Sequence, residues 1–576
     1  MDDKEVINRL VTAALTAFGV AATTAILLSV FQEDVKRPDS VITTTPPRGG
    51  PDPFPISRGI PKVGDASALF PDFIAGLTVL ATKARDASSH GLGWFDNMGH
   101  PILMLSNSEH SKLILNKITA HALWGGIQPA SEAFFGKSVL FVLEGDEWKR
   151  LRYLLRDSFK MQSLDRLSRD VTSSAVTLAN RLGEFVDQEV DLNVGFGLYH
   201  LAAVGKSSYD FDMNVMQNFP NHSPVSSAFE YLLSELPRRS FHPDQAVRED
   251  YVSGNEDNLK WHKASKTVRD MVQVTIVQRL REGGKAPKRG DLLDSMIASY
   301  RANASSATLL NGDIEQQAQL LTDALGDNLV EVFFAGYGTS SVAMAVGLYH
   351  LAKDRALMAQ AHAEVDSVLS GDMKFDQEAL TAKKFPFLCR VFSEALRVVP
   401  PAPLVSRITT EPLVVEGMTI PSGTVVWFPA SFFHSDAKAW GSTVNEFDPS
   451  RWEKPLPSPS SFLPFSGGAR DCIGKHFAEL ESVVVLAVLL KTYDFDVAPG
   501  FVLGPVFTGF GTRAGNANTS QVECKLVPRR RTNTSAFMYD WTPSKTALGG
   551  RKNSNPLLQG VDEYEGFEVL PNPPKF

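Results

Sequence analysis

The residue in this sequence best placed to do chemistry is Cys472, in the stretch FSGGARDCIGKHFAELE at 465–481. Gly468 and Gly474 flank it, Arg470 lies two residues earlier and Phe465 seven earlier. Glycines on both sides permit a tight loop and the close approach of a flat ligand. The run behind the cysteine predicts a helix whose first N–H groups point back at the sulfur. Those groups and Arg470 would together favour a thiolate. A lone thiolate in an electropositive loop suits haem iron, as an electron-donating axial ligand that favours O–O cleavage. The competing reading is a buried structural cysteine.

Three other patterns carry potential chemistry. In SEALRVVPPAP (393–403), Glu394 and Arg397 are three apart and share a helix face. Alone, such a pair reads as a surface contact worth under about 1 kcal/mol. In GDEWKRLRYLL (145–155), Trp148 and Arg152 lie one turn apart, and Arg152 alone reads as a solvated charge. The third is FFAGYGTSS at 333–341, where Gly336 and Gly338 interrupt a long apolar helix and Thr339, Ser340 and Ser341 follow. A helix-interior glycine costs about 1 kcal/mol relative to alanine, so this weak polar patch needs a reason.

Taken together, these motifs resemble the cytochrome P450 superfamily of haem-thiolate enzymes, in its membrane-anchored eukaryotic type. The pattern Phe-x-x-Gly-x-Arg-x-Cys-x-Gly is complete, and the resemblance covers roughly residues 55–528. It implies haem b, with Cys472 as the iron (metal) ligand and Phe465, Gly468 and Gly474 shaping its loop. Arg451, from FDPSRW, matches the third member of a buried structural network with Glu394 and Arg397. Trp148, Arg152, Arg407 and Arg470 match residues that contact the haem propionates, anions that need charge-assisted donors. Lys149, Arg150, Lys475 and His476 lie near the same side, as a basic patch for an acidic redox partner or as plain solvated surface.

The same resemblance makes 333–341 the distal helix. Ala335 and Gly336 would leave room for dioxygen and substrate, and Thr339 would hydrogen-bond bound dioxygen or its water. One position departs from the pattern: Gly338 stands where the family usually carries Asp or Glu. Glu331 is eight residues from Thr339, about 12 Å along a helix, too far to substitute directly. Proton delivery is then expected to rest on Thr339, Ser340 and water, and Gly338→Asp to raise product per NADPH. The implied activity is a monooxygenase that inserts one oxygen atom of O2 into a lipophilic small molecule. A separate NADPH-cytochrome P450 reductase would supply the electrons. The alternatives are a haem-thiolate isomerase or dehydratase acting on a peroxide without a reductase, and a haem-binding sensor. The apolar segments 333–339, 401–405 and 505–510 are expected to line the pocket, pointing to a fatty acid, sterol or terpenoid and no further.

The elements that must hold these residues are mostly helical. Apolar positions recur at three-to-four spacing in 327–352 and 479–493, with strand-like segments around 413–430. The fold class expected is mainly α with a minor β region, a single large domain of P450 type. Of 576 residues, 43% are hydrophobic and 21% charged, an ordinary globular balance. A net charge of −8 argues against nucleic acid as a partner. The three cysteines form no Cys-x-x-Cys pair and suggest a reducing compartment; Cys389 and Cys524 carry no motif and read as structural. After a flank at 1–9, residues 10–31 carry no charge and are long enough for a transmembrane anchor. A signal peptide and a buried core helix are the rival readings. Lys36, Arg37 and Arg48 then place the remainder in the cytosol, on an endoplasmic reticulum membrane. A Pro/Gly-rich hinge at 32–60, a catalytic domain at 61–530 and a disordered tail at 531–576 complete the expected order.

Overall fold

A computed structural model describes residues between Leu69 and Arg531, apart from internal segments that include 122–130, 241–255, 282–290, 304–312 and 370–379. The expected anchor and hinge, residues 61–68 and the tail from 532 lie outside the described residues. Most described residues are helical. In chain order the first helices are α1 (Phe73–Ala87), α2 (Ser108–Lys117), α3 (Gly145–Arg156), α4 (Met161–Leu182), α5 (Leu192–Tyr209), α6 (Pro224–Ser240), α7 (Glu256–Arg281) and α8 (Leu292–Asn303). Then come α9 (Ile314–Tyr337), α10 (Thr339–Lys353), α11 (Arg355–Val368), α12 (Pro386–Val398), the short α13 (Ala430–Ser435) and α14 (Ala437–Trp440), and α15 (Lys475–Thr492).

The β part is small and sits at the edges. Strands β1 (Leu92–Asn97), β2 (His100–Leu105), β3 (Ala120–His121), β5 (Val405–Ile408) and β8 (Val425–Phe428) form one sheet in the order β1-β2-β8-β5-β3. Its β2–β8 pair is parallel and the other three are antiparallel. β4 (Val190–Asp191), β12 (Lys525–Arg530) and β9 (Tyr493–Val497) make a second sheet, and β6 (Leu413–Val415) pairs with β7 (Met418–Ile420). β10 (Leu503–Phe507) and β11 (Thr512–Asn516) form a hairpin. The strands expected around 413–430 are β6, β7 and β8.

Two apolar cores result. One joins the helices and one lies under the five-stranded sheet. α10 and α15 are buried nearly all round, which is why their apolar residues show little one-sidedness. The span Ile314–Lys353 is long and apolar enough to cross a bilayer, but 67% of its apolar window is buried inside the fold. It is a central core helix, started by Asp313, whose side chain accepts from the Gln316 amide at 2.8 Å.

The helix falters once, at Gly338, which keeps a helical backbone (φ −86°, ψ −31°). Thr339 Oγ1 donates to the Ala335 carbonyl at 2.7 Å, and Ser341 Oγ to that of Tyr337 at 2.7 Å. Such back-bonding to i−4 carbonyls competes with the amide ladder and bends helices.

Glu394, Arg397 and Arg451 meet as expected. The carboxylate of Glu394 takes two bonds from Arg397, each 2.8 Å, and one from Arg451 Nε at 3.3 Å. It also accepts from the Asp448 amide at 2.9 Å and Trp452 Nε1 at 3.0 Å. Arg397 donates further to the carbonyls of His434, Val444 and Glu446. This fully satisfied network ties α12 to the chain that leads into the Cys472 loop. Removing one partner would strand a buried charge, at a cost of several kcal/mol.

Candidate active site

The Cys472 loop is fixed by close packing. Gly468 has φ +72°, and a Cβ there would lie 1.9 Å from the Leu115 carbonyl oxygen. The loop therefore rests on α2 at a point where only glycine fits. The Cys472 amide donates to the Phe465 carbonyl at 2.9 Å, closing the turn. Behind it, Gly474 caps α15, and its amide hydrogen-bonds the sulfur. The sulfur is accessible, yet desolvation by surrounding protein is the largest influence on its thiol and raises its pKa. Accessibility together with desolvation marks a group lining an internal cleft. Asp471 raises the thiol pKa further, while Arg152 and Lys475 pull it down.

Here the structure corrects one expectation. Arg470 points away from the sulfur, to the carbonyls of Leu140 (3.2 Å) and Leu143 (2.9 Å) and the carboxylate of Glu144. The cations that favour the thiolate are Arg152 and Lys475.

Arg152 and Arg470 both lie over Trp148, and Arg407 is close enough to Arg470 to feel its charge. The indole lies 4.3 Å from the Arg470 guanidinium and 5.7 Å from that of Arg152. Arg152 pairs with Asp471, next to Cys472. Arg407, on β5, is 3% exposed and donates to Ser466 Oγ at 2.9 Å and the Ser406 carbonyl at 2.8 Å. Its Nε is buried and has no hydrogen-bond partner among the described residues. Burial, then repulsion from Arg470, lowers its pKa to about 10. A buried guanidinium with an open donor, next to another cation, calls for an anion. A planar ligand carrying carboxylates and taking a thiolate on its metal fits this donor set.

On α9 and α10, Ala335 and Thr339 are exposed while Phe334, Tyr337 and Ser340 are buried. The first two are one turn apart and share the accessible face. Ser340 lies off that face, so it does not line the cleft beside Thr339. Gly336 also has a different use from the one expected. A Cβ there would fall 1.9 Å from His200 Cε1, so the space it leaves is filled by α5. His200 is held by Glu481, with Nδ1 at 2.9 Å from one carboxylate oxygen. Of the two small residues, Ala335 remains for the cleft.

Gly338 is not crowded. A Cβ there would meet Arg513 Cδ and Nη1 at 3.8 Å and Leu233 at 3.9 Å, ordinary contacts. Arg513, on β11, pairs with Glu230 of α6 through bonds of 3.0 and 3.3 Å. Burial alone would raise the Glu230 pKa, but Arg513 outweighs it and holds the carboxyl below its ordinary value. Glu331 accepts from the amides of Leu140 (2.9 Å) and Phe141 (2.8 Å). It clamps that loop to the helix, and burial pushes its pKa up to about 7.

Glu230, Arg513 and His200 carried no signal in the sequence. Glu481 stood in the quoted 465–481 stretch, where its partner on α5 could not be guessed.

Of the segments expected to line a pocket, 401–405 is tied to β11 by the Thr512 amide, which donates to the Pro401 carbonyl at 2.8 Å, while residues 509–510 lie outside the described residues. Cys389 and Cys524 are half-buried and buried, each with its thiol directed at a carbonyl, of Ala382 and Ala345 respectively.

Comparison with known proteins gives a consistent answer. Residues 91–515 match the family described as Cytochrome P450. Cytochrome P450 3A27 of Oncorhynchus mykiss is 27% identical over 369 residues, covering 62% of this chain and 68% of that protein. A cytokinin hydroxylase of Arabidopsis thaliana is 24% identical over 479 residues, covering 79% of this chain and 88% of its own. Cytochrome P450 714C2 of Oryza sativa subsp. japonica is 33% identical over a shorter stretch of 190 residues, 32% of this chain and 36% of that protein.

Proposed function

Since the chain belongs to the cytochrome P450 family, and is thus a haem-thiolate monooxygenase using O2, a redox partner and a small-molecule substrate, we propose that it hydroxylates a lipophilic molecule with electrons from a separate NADPH-cytochrome P450 reductase. The cofactor is haem b, held by Cys472 through sulfur and by Arg407, Arg470, Arg152 and Trp148 at its propionates. The observation that carries this assignment is the buried Arg407 guanidinium, whose Nε lacks a partner among the described residues. When bound, the haem supplies the redox chemistry that activates O2.

The chain's own residues supply the setting. The Gly474 amide and the cations Arg152 and Lys475 favour the anionic form of the Cys472 sulfur. In this reading Cys472 would hold the haem iron, and the accessible Ala335 and Thr339 would line the space where O2 and substrate enter. Ala335 leaves space there. Thr339 keeps its proton on the Ala335 carbonyl, so its oxygen lone pairs accept from water in the cleft. The apolar segments around 401–405 and 505–510 exclude bulk water and suit an apolar substrate. Residues 10–31 anchor the protein in the endoplasmic reticulum membrane, with the catalytic domain facing the cytosol.

The test is a carbon monoxide difference spectrum of the reduced protein, with and without Cys472→Ser. A thiolate-type Soret band that the variant lacks is the expected result; its absence from the parent protein overturns the assignment. Turnover of lipophilic candidates that needs both NADPH and a reductase separates this reading from peroxide isomerisation, which needs neither. Retention of Thr339 favours the monooxygenase, because an isomerase has no use for a proton relay.

A further inference from the structure

The monooxygenase reaction consumes protons beside Thr339, yet position 338 offers no carboxylate. Net, substrate C–H, O2, two electrons and two protons give C–OH and water. The protons must come from solvent through groups near the distal helix. Three of the described acids bear on that stretch. Glu331 is engaged by two amides of the 140–141 loop. Glu481 is bound to His200, and both are sealed, with side chains 1% and 2% exposed. The third is Glu230.

Glu230 occupies the charge position that an acid at 338 would take. The Cβ direction of Gly338 leads to Arg513, 3.8 Å from both Cδ and Nη1. A carboxylate built there would meet this guanidinium, on which the Glu230 carboxylate already sits at 3.0 and 3.3 Å. The Tyr337 hydroxyl, next in sequence to Gly338, donates to the Ser226 carbonyl at 3.4 Å and lies close enough to Glu230 to influence its ionisation. Unlike Arg513, whose side chain is 6% exposed, the Glu230 side chain keeps 30% of its surface accessible. Part of its edge is accessible while its charge is fixed by Arg513. The other titratable groups facing this cluster are His222, which approaches Ser226 Oγ at 3.3 Å through Nδ1, and Asp191.

We propose that Glu230, held against Gly338 by Arg513, replaces the missing acid of the distal helix and relays solvent protons to Thr339. The statement rests on the monooxygenase reading above. Glu230 takes a proton from solvent at its accessible edge and releases it to water in the cleft. That water passes it to Thr339, and Glu230 ends the cycle as the carboxylate it began as. Glu230 touches no reacting atom. It is a positioning and relay residue that acts through Thr339 and water.

Three variants test this: Glu230→Gln, Gly338→Asp, and the two combined. In reductase-supported turnover, Glu230→Gln is expected to lower product formation at least about tenfold, the scale of a lost proton-transfer group. Peroxide should account for the missing electrons, and the solvent isotope effect should rise, with the carbon monoxide spectrum unchanged. Adding Gly338→Asp should restore product per NADPH, since the carboxylate returns to Arg513 from the neighbouring position. Unfolding of the haem-free protein gives a readout independent of activity. There the double variant should be more stable than Glu230→Gln, because Arg513 regains a counter-charge. If Glu230→Gln does not fold, the charge-balanced double variant is measured alone and should couple like the parent.

A Glu230→Gln enzyme that couples as well as the parent overturns the relay, as does a double variant that shows no recovery. A parent enzyme that makes no product from NADPH and reductase overturns the monooxygenase reading itself, a distinguishable result.

Discussion

The guanidinium of Arg513 lies 3.8 Å from the point where a side chain at Gly338 would begin, although 175 positions, 513 less 338, separate the two in sequence. This relationship changes what aspartate at 338 should do in the otherwise native chain. Sequence alone predicts a gain in coupling, because an acid is missing. With Glu230 already on Arg513, the new carboxylate shares one guanidinium with an existing one. Gly338→Asp alone should therefore change product per NADPH by less than about twofold, a barrier change of under about 0.5 kcal/mol. Comparison with Gly338→Ala, by product and peroxide yield, separates charge from the gain in helix propensity.

A Cβ at Gly336 has no such room. It would lie 1.9 Å from His200 Cε1, and the ring cannot swing aside while Glu481 holds its Nδ1. Gly336→Ala should cost about 1–3 kcal/mol of stability, as overpacking of a dense core does. The same change in a His200→Ala background should cost much less, since the obstructing ring is gone. Chemical denaturation of the four proteins measures the difference. An equal cost in both backgrounds would show that the glycine serves the cleft and not the helix contact.

These two glycines show how far the sequence could be read. Cys472, Phe465 and Gly468 were legible because one loop holds them, and local spacing fixes what a loop can do. Glu394 and Arg397 were legible because they share one turn of helix. Arg470 was placed on the right loop, but the sequence aimed it at the sulfur, whereas its present partners, Glu144 and the 140–143 carbonyls, come from elsewhere in the chain. Gly336 and Gly338 read alike, as weak points in a helix. Only packing tells that one admits His200 and the other faces Arg513. Contacts among α5, α6, α9 and β11 leave no periodic trace in any single segment.

Glu331 should make stability depend on pH in an identifiable way. Burial raises its folded-state pKa from 4.5 to about 7, with Asp327 adding to the shift. Below about pH 4.5 the group is protonated in both states and contributes nothing to the slope. Between pH 4.5 and 7 the unfolded chain ionises first, so stability falls as pH rises, and the loss is complete above pH 7. The size is about 3 kcal/mol. Glu331→Gln removes this slope, while losing one of the two amide bonds from Leu140 and Phe141 at every pH. Unfolding curves at pH 5 and pH 8 should therefore show parent and variant converging at the higher pH. Parallel pH dependence in the two proteins would show that Glu331 titrates as an ordinary carboxylate.

Arg407 separates cofactor binding from folding. Its charge is buried beside Arg470, its Nε has no partner among the described residues, and its pKa is lowered to about 10, so the haem-free fold gains little from it. Two neutral hydrogen bonds and the charge of Glu144 offset its burial only in part, and a partly compensated buried charge is a liability that a neutral side chain removes. Arg407→Gln should thus leave the haem-free protein as stable as the parent, or up to about 1 kcal/mol more so. The loaded protein should behave oppositely. Losing a charge-assisted bond to a buried carboxylate costs about 1.5–3 kcal/mol, or roughly ten- to a hundredfold in haem retention. Transfer of haem to a scavenging globin measures that loss. Arg152→Gln provides the contrast, because Arg152 already has Asp471 as a partner and its removal leaves that carboxylate beside the sulfur. Equal effects of the two substitutions on the haem-free protein would mean that Arg407 is a fold residue and that its open donor is not meant for a ligand.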